Sequence, residues 1–215
     1  MIAMKGRWSG YDMRTAKLAV FVRHGESVSN VQETVSRDLN RFPLTNLGRE
    51  QAAEAGIALK MFPKIDSFYT SPILRARQTA GIISKFIGIR PVVDRLLMER
   101  NFGNMNNMRF RSKVEHKRFV LRQIEEGYPD YESWDSMMDR MRKFSGRLKP
   151  GKITVAVSHR EPISPAMSLV LEKDEMQMWS VAPLNGSITI IDFSKKGADA
   201  ILAFGSPALP KRLFI

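Results

Sequence analysis

Two histidines in this chain stand in the same kind of place. His24 follows the apolar run Leu18-Ala19-Val20-Phe21-Val22 and then Arg23, and His159 follows Ile153-Thr154-Val155-Ala156-Val157-Ser158. Runs of this length and composition read as short strands buried on both faces. In open α/β sheets, ligands collect in the crevice outside the carboxyl ends of the strands. Arg23-His24-Gly25 therefore delivers a cation, a nucleophile and a flexible backbone to such a crevice. A third element adds charge: Ser71-Pro72 reads as an N-cap followed by the first helical residue, which puts Arg75 in the opening turn of a helix. An arginine beside the positive end of a helix dipole is unfavourable unless an anion sits there. The chemistry these residue types allow is capture of an anion beside an imidazole.

The elements that must position these groups can be read in order. The strand over residues 18–22 gives way to a polar stretch, 28–42, expected as a loop across the mouth of the site. Thr45 is a plausible cap for a helix running to about residue 61. Residues 66–70 form a second strand that runs into Ser71-Pro72, and Ile73, Ala76, Ala80, Ile83 and Ile87 make the buried stripe of the helix that follows. Residues 91–93, 153–158, 187–193 and 200–204 are further strands. From Glu132 another amphipathic helix carries Trp134, Met137, Met138, Met141 and Leu148 at core spacing, with Gly127-Tyr128-Pro129 breaking the chain before it. The expected architecture is a single domain over 1–215, with residues 1–16 as a leader and 205–215 as a tail. The apolar end of that tail, Leu213-Phe214-Ile215, is expected to dock on the domain or on a second copy in a homodimer.

Composition narrows the function. Lys and Arg number 34 against 22 Asp and Glu, a formal charge of +12, which favours anionic partners: phosphorylated metabolites, nucleic acid or acidic membrane surfaces. Six of the basic residues fall between Arg109 and Arg122, where a solvated helix face and a substrate-facing or partner-facing patch are equally open. The absence of cysteine excludes disulfides and thiolate metal sites and fits a cytoplasmic protein. Only three histidines are present, and His116 is far in sequence from any ligand-like spacing, which argues against zinc. No GxxxxGK[ST] loop is present, which argues against a nucleotide triphosphatase.

Arg23-His24-Gly25-Glu26-Ser27 with Asn30 resembles the signature of the histidine phosphatase superfamily, the phosphoglycerate mutase-like enzymes. The resemblance recurs in order along the chain. Leu44-Thr45 with Gly48, Arg49 and Gln51 is similar to a structural stretch of the family. Ser71 to Ala80 resembles its second motif, in which the arginine at the place of Arg75 holds the phosphoryl group. Leu96-Leu97-Met98-Glu99-Arg100-Asn101-Phe102-Gly103 resembles the third, which puts Glu99 at the family's acid and base position, although Asn104 to Asn107 replace the usual continuation. Glu132-Ser133 is similar to a helix-opening pair, and Val157-Ser158-His159 to the fourth motif, with Arg160 in place of its glycine.

The resemblance implies a three-layer α/β/α sandwich with a mostly parallel central sheet. It also implies metal-independent transfer of a phosphoryl group through a phosphohistidine on His24, with His159 beside it and Glu99 as acid and base. Arg23, Arg75, Asn30, Arg100 and Arg160 form the expected substrate-binding set. Arg160 either extends the pocket towards a second anionic group or points to solvent or pairs with Glu161. The expected partner is a small phosphorylated substrate, with no membrane or nucleic acid. The family splits into phosphatases, which need no cofactor, and 2,3-bisphosphoglycerate-dependent mutases. The short stretch between Gly103 and Glu132 and the Asn185-Gly186-Ser187 turn look more like a phosphatase. A non-catalytic anion-binding or nucleic-acid-binding protein on the same fold is the remaining alternative.

Overall fold

The computed structural model describes residues 11–126, 130–179 and 181–207, with the side chains of residues 113, 117 and 124 outside that description. Its centre is the strand β1, Lys17–Arg23, whose five middle residues are all buried. Leu18, Val20 and Val22 enter one core, and Ala19 and Phe21 enter the other. Alternation therefore feeds both faces of the sheet with apolar groups, as the unbroken run required.

Six strands form one sheet in the order β3-β2-β4-β1-β5-β6. They are β2 (Ser67–Thr70), β3 (Val92–Val93), β4 (Lys152–Ser158), β5 (Ile188–Asp192) and β6 (Ile201–Ser206) around β1. The pairs β1–β4, β2–β4 and β2–β3 are parallel, and β5 is antiparallel to both β1 and β6. On one face pack α2 (Asn46–Leu59) and α3 (Leu74–Ile87); on the other pack α5 (Trp134–Ser145) and α6 (Arg160–Leu171). The result is the expected α/β/α sandwich with a mostly parallel sheet. The remaining helices are the short α1 (Val28–Val31) and α7 (Glu175–Trp179) and the longer α4 (Lys113–Glu126), and Met178 of α7 joins the core under α5 and α6.

Several local expectations meet their physical cause here. Thr45 caps α2 by accepting a bond from the Gly48 amide at 3.0 Å. Ser133, one residue after the expected start, caps α5, and Phe144 joins Met137 and Met141 in the core. The polar stretch 28–42 is not all loop: its first four residues form α1, closed by Asn30 Oδ1 accepting from the amide and hydroxyl of Ser27. Ser71 does not cap α3, which begins at Leu74. Its amide still donates to the Val157 carbonyl, so the chain stays extended there, and its hydroxyl oxygen accepts the Ile73 amide just before the helix.

Of the leader, residues 11–16 pack on the domain: Ala16 is buried in the core, and the Tyr11 hydroxyl donates to Asp192. The tail's apolar end and the 127–129 break lie outside the described residues. No helix among the described residues is long and apolar enough to cross a membrane.

Candidate active site

Register explains why two distant histidines meet. Arg23 pairs with Ser158 across the parallel β1–β4 ladder, so His24 and His159 each lie one residue beyond a matched pair of strand ends. The His24 amide extends the ladder to the Ser158 carbonyl at 3.0 Å, and the two rings lie 5.0 Å apart. On the other side of β4, Thr70 pairs with Val157, which brings Ser71 beside His159. The Ser71 hydroxyl lies 2.8 Å from His159 Nε2.

The tautomer of His24 follows from its partners. Nδ1 is 2.7 Å from the Gly25 carbonyl, which can only accept, so Nδ1 carries the proton and Nε2 a lone pair. Arg75 Nε donates to that lone pair at 3.0 Å. Burial holds the His24 pKa well below its ordinary value, with the Arg75 and Arg23 charges acting in the same direction. Gly25 is required by close approach: a Cβ there would lie 2.1 Å from the Gly48 carbonyl oxygen in the first turn of α2.

Around Nε2 the protein leaves donors unspent. Arg23 Nη1 donates to the Pro183 carbonyl at 2.8 Å and Arg75 Nη2 to the Ser36 carbonyl at 2.9 Å, yet Arg23 Nε and Arg75 Nη1 are buried with no protein partner among the described residues. His159 Nδ1 is in the same state. Ser71 Oγ accepts the Ile73 amide at 3.3 Å, and with its own proton assigned to His159 Nε2 the imidazole carries its proton on Nδ1, the unspent nitrogen. Burial pushes both guanidinium groups down to about 10, so both stay charged near neutral pH. Two buried cations with unspent N–H groups are costly unless an anion fills the space between them.

Glu99 is the carboxylate within reach. Its Oε1 accepts from the Arg100 amide at 3.0 Å, and Oε2 lies 3.8 Å from Arg75 Nη2 and 3.9 Å from His159 Nδ1. Burial, then the Glu161 charge, raises its pKa; Arg75 opposes them. The turn that carries it is pinned from outside. Arg140 on α5 donates to the Leu96 and Met98 carbonyls at 2.7 and 2.9 Å while gripping Glu132, whose carboxylate also holds the Asn101 amide.

His24, Arg23, Arg75, Glu99, Asn30 and Arg160 all line one cavity of about 600 Å³. His159, fully buried, is not itself in the lining and lies behind His24, its ring 5.0 Å from that of His24. Asn30 spends its Oδ1 on Ser27 and on Asn185 Nδ2, so only its Nδ2 remains for a ligand. Arg160 stacks over the Trp179 ring at 4.7 Å, donates to the Trp179 carbonyl and lies 3.7 Å from Glu161, so it faces the cavity and also neighbours a carboxylate. Arg100 departs from the expectation. Its side chain is outside the cavity lining, buried against Glu161, Glu175 and Tyr131, because three acceptors and an aromatic face hold it there.

Sequence reasoning missed His116, Ser71, Glu161 and Trp179. The basic stretch turns Arg109, Arg111, Arg118 and Arg122 outwards, while His116 and Val120 of α4 line the cavity. Asn106 and Asn107, in the irregular third motif, clasp the Asp38 carboxylate at 2.7 and 2.9 Å and so tie that segment to residues 33–38. Asn107 adopts a left-handed backbone, φ 71°, which asparagine tolerates. Among the described residues no group of three His, Asp or Glu side chains is placed to hold a metal ion.

Known proteins are similar to this chain in sequence and in fold. The chain is 33% identical over 178 residues to a protein of Thermoplasma acidophilum named 2,3-bisphosphoglycerate-dependent phosphoglycerate mutase, covering 82% of this chain and 87% of that one. It is 26% identical over 178 residues to an uncharacterized phosphatase of Bacillus subtilis, covering 81% and 88%. The fold matches the alpha-ribazole phosphatase of Shigella flexneri with a TM-score of 0.72 at 22% identity, over 90% of this chain and 98% of that one. It also matches a mycobacterial glucosyl-3-phosphoglycerate phosphatase solved with VO3, with a TM-score of 0.73 at 21% identity, over 89% and 100%. With the histidine phosphatase superfamily (branch 1) model matching residues 19–204, the chain belongs to that superfamily, whose relatives here include both phosphatases and mutases.

Proposed function

We propose that this protein hydrolyses phosphomonoesters through a phosphohistidine on His24. The observation that carries the reading is the lone pair of His24 Nε2 set among unspent donors on Arg23, Arg75 and His159. Nε2 attacks phosphorus and the ester C–O–P link breaks on its phosphorus side, while Glu99 gives its proton to the leaving alkoxide. Nδ1 keeps its proton, donated to the Gly25 carbonyl, so the ring carries the new bond with its tautomer already fixed. The guanidinium groups and His159 hold the equatorial oxygens by charge-assisted bonds. Water then enters with Glu99 as base, phosphate departs, and His24 returns to its neutral form. The cationic role is filled by Arg23 and Arg75, and no metal ion or cofactor is called for.

A mutase differs only in the acceptor: a second substrate hydroxyl takes the phosphoryl group, and 2,3-bisphosphoglycerate primes the histidine. The name of the Thermoplasma relative favours it. The charge of the cavity supports hydrolysis instead. Beyond Arg23 and Arg75, the described lining offers one further cation, Arg160, against Glu26, Glu33 and Glu161. A bisphosphorylated carboxylic acid would bring two more anionic groups into that surrounding.

Brief exposure to a labelled phosphomonoester, an alkaline quench and peptide mapping should find acid-labile phosphate on His24. Label on another residue, or turnover that survives His24→Ala, would overturn the phosphohistidine. Supplying 3-phosphoglycerate with a trace of 2,3-bisphosphoglycerate separates the two activities: inorganic phosphate supports hydrolysis, and 2-phosphoglycerate without phosphate release establishes the mutase. Binding of anions with neither product and no label would leave a non-catalytic protein.

A further inference from the structure

We infer that Arg100 is a positioning residue for the general acid, holding Glu99 through the turn they share rather than touching substrate. The inference deepens the hydrolytic reading above and rests on it. Arg100 is 2% exposed, and its own amide holds Glu99 Oε1 at 3.0 Å. Its side chain reaches four other places at once. Nε donates to the Glu132 carbonyl at 2.7 Å, Nη1 donates to Glu175 of α7 and lies 3.6 Å from Glu161 Oε2 at the start of α6, and the guanidinium sits 4.0 Å over the Tyr131 ring.

The consequence is a cross-brace. The acid-bearing turn follows β3 and belongs to neither helical layer. The sheet holds its start, where the Ser158 hydroxyl donates to the Leu97 carbonyl at 2.9 Å, and leaves Glu99, two residues further on, to be placed by other contacts. His159 leads directly into α6, where Glu161 is the second residue. The ion pair between Arg100 and Glu161 therefore refers the position of Glu99 to the same helix whose N-terminus carries His159. Glu175 adds a second tie from α7. Only a planar fork of donors can satisfy such a set; an ammonium is a point charge on a flexible stem and cannot make these bonds while stacking on Tyr131. A misplacement of about 1 Å of a proton donor costs on the order of a hundredfold in rate, so a brace of this kind has a kinetic effect without contacting substrate.

The test separates positioning from general stability by the leaving group. An activated nitrophenolate leaves without a proton, whereas a simple alkoxide needs the acid. In the full-length protein, Arg100→Lys should lower the alkyl-to-aryl ratio of kcat about tenfold or more. Glu175→Gln, which takes the charge from one tie and leaves the guanidinium in place, should lower the same ratio by a few fold and serves if Arg100→Lys fails to fold. With Glu99→Gln already present, neither change should alter the ratio further, because the group being positioned is gone. A ratio unchanged in Glu175→Gln and Arg100→Lys, or one that falls equally with Glu99→Gln present, would overturn the inference while leaving the hydrolytic reading intact. An unaltered protein that turns over neither ester would overturn both.

Discussion

Arg75 Nε donates to His24 Nε2 at 3.0 Å, the nitrogen that the proposed mechanism bonds to phosphorus. One arginine thus holds the lone pair in place in the free protein and, through Nη1, still has a donor to offer an incoming anion. Arg75→Lys keeps the charge and loses the fork. It should lower kcat/KM about 10² to 10³-fold, the usual effect of removing one aligned donor from a developing oxyanion. Steady-state kinetics on a nitrophenyl ester checks this, and a loss below tenfold would mean that Arg23 alone holds the phosphoryl group.

The pH profile should be a bell with unusual limbs. His24 acts neutral, and burial with two nearby arginines holds its pKa well below 6.5, so activity rises on a limb more acidic than an ordinary histidine gives. Glu99 acts protonated as the acid, and burial raises its pKa above 4.5, so activity falls on a limb more basic than an ordinary carboxylate gives. Glu99→Gln should remove the basic limb for an alkyl ester. Persistence of that limb in the variant would assign it to another group.

Stability should fall on acidification. His24 and His159 take up protons in the unfolded chain below about 6.5 but resist them when folded, because burial depresses both. The unfolded state then binds more protons, so stability drops as pH is lowered from about 6.5 towards the folded values. Glu99 acts the other way, since its raised pKa stabilises the fold at low pH and that contribution is lost as pH rises above 4.5. Urea midpoints between pH 7 and 5 should decline, and His159→Gln should flatten the decline.

The clasp between Asn107 and Asp38 gives a stability test away from the chemistry. Asn107→Val loses the bonds to Asp38 and from the Ser36 hydroxyl and puts a β-branched residue at φ 71°. The cost should be about 2–4 kcal/mol by urea unfolding. Asn107→Gly loses the same bonds without the strain and should cost less. Equal costs would show that the backbone conformation there contributes nothing.

Arg160 gives the specificity test. It lines the cavity on a Trp179 platform, with Glu161 3.7 Å away as a partial counter-charge. Arg160→Gly should raise KM for an ester bearing a second anionic group by roughly fivefold, about 1 kcal/mol. The KM of a neutral aryl phosphate should rise less. An equal rise for both would place Arg160 in support of Trp179 rather than in recognition.

By itself the sequence determined the buried strands and the pair of histidines at their ends, while the layers followed from the resemblance to the superfamily. Buried parallel strands carry near-continuous apolar runs, and the residue that ends such a run is set by chain order, so β1, β4, His24 and His159 were legible from spacing. The opening turn of α3 likewise announced Arg75, although Ser71 was misread as a cap because local pattern cannot show that β4 still claims its amide. What depended on strand register and on contacts between segments was decided only by the tertiary structure. The match of Arg23 to Ser158 brings the histidine rings within 5.0 Å at a tilt of 59°, and that of Thr70 to Val157 sends Ser71 to His159. The turn from Leu96 to Gly103 lies between elements, and no periodicity tells which way its side chains point. Glu99 therefore faces the cavity while Arg100, its neighbour, turns away to carboxylates that lie 61 and 75 residues further along the chain, at Glu161 and Glu175.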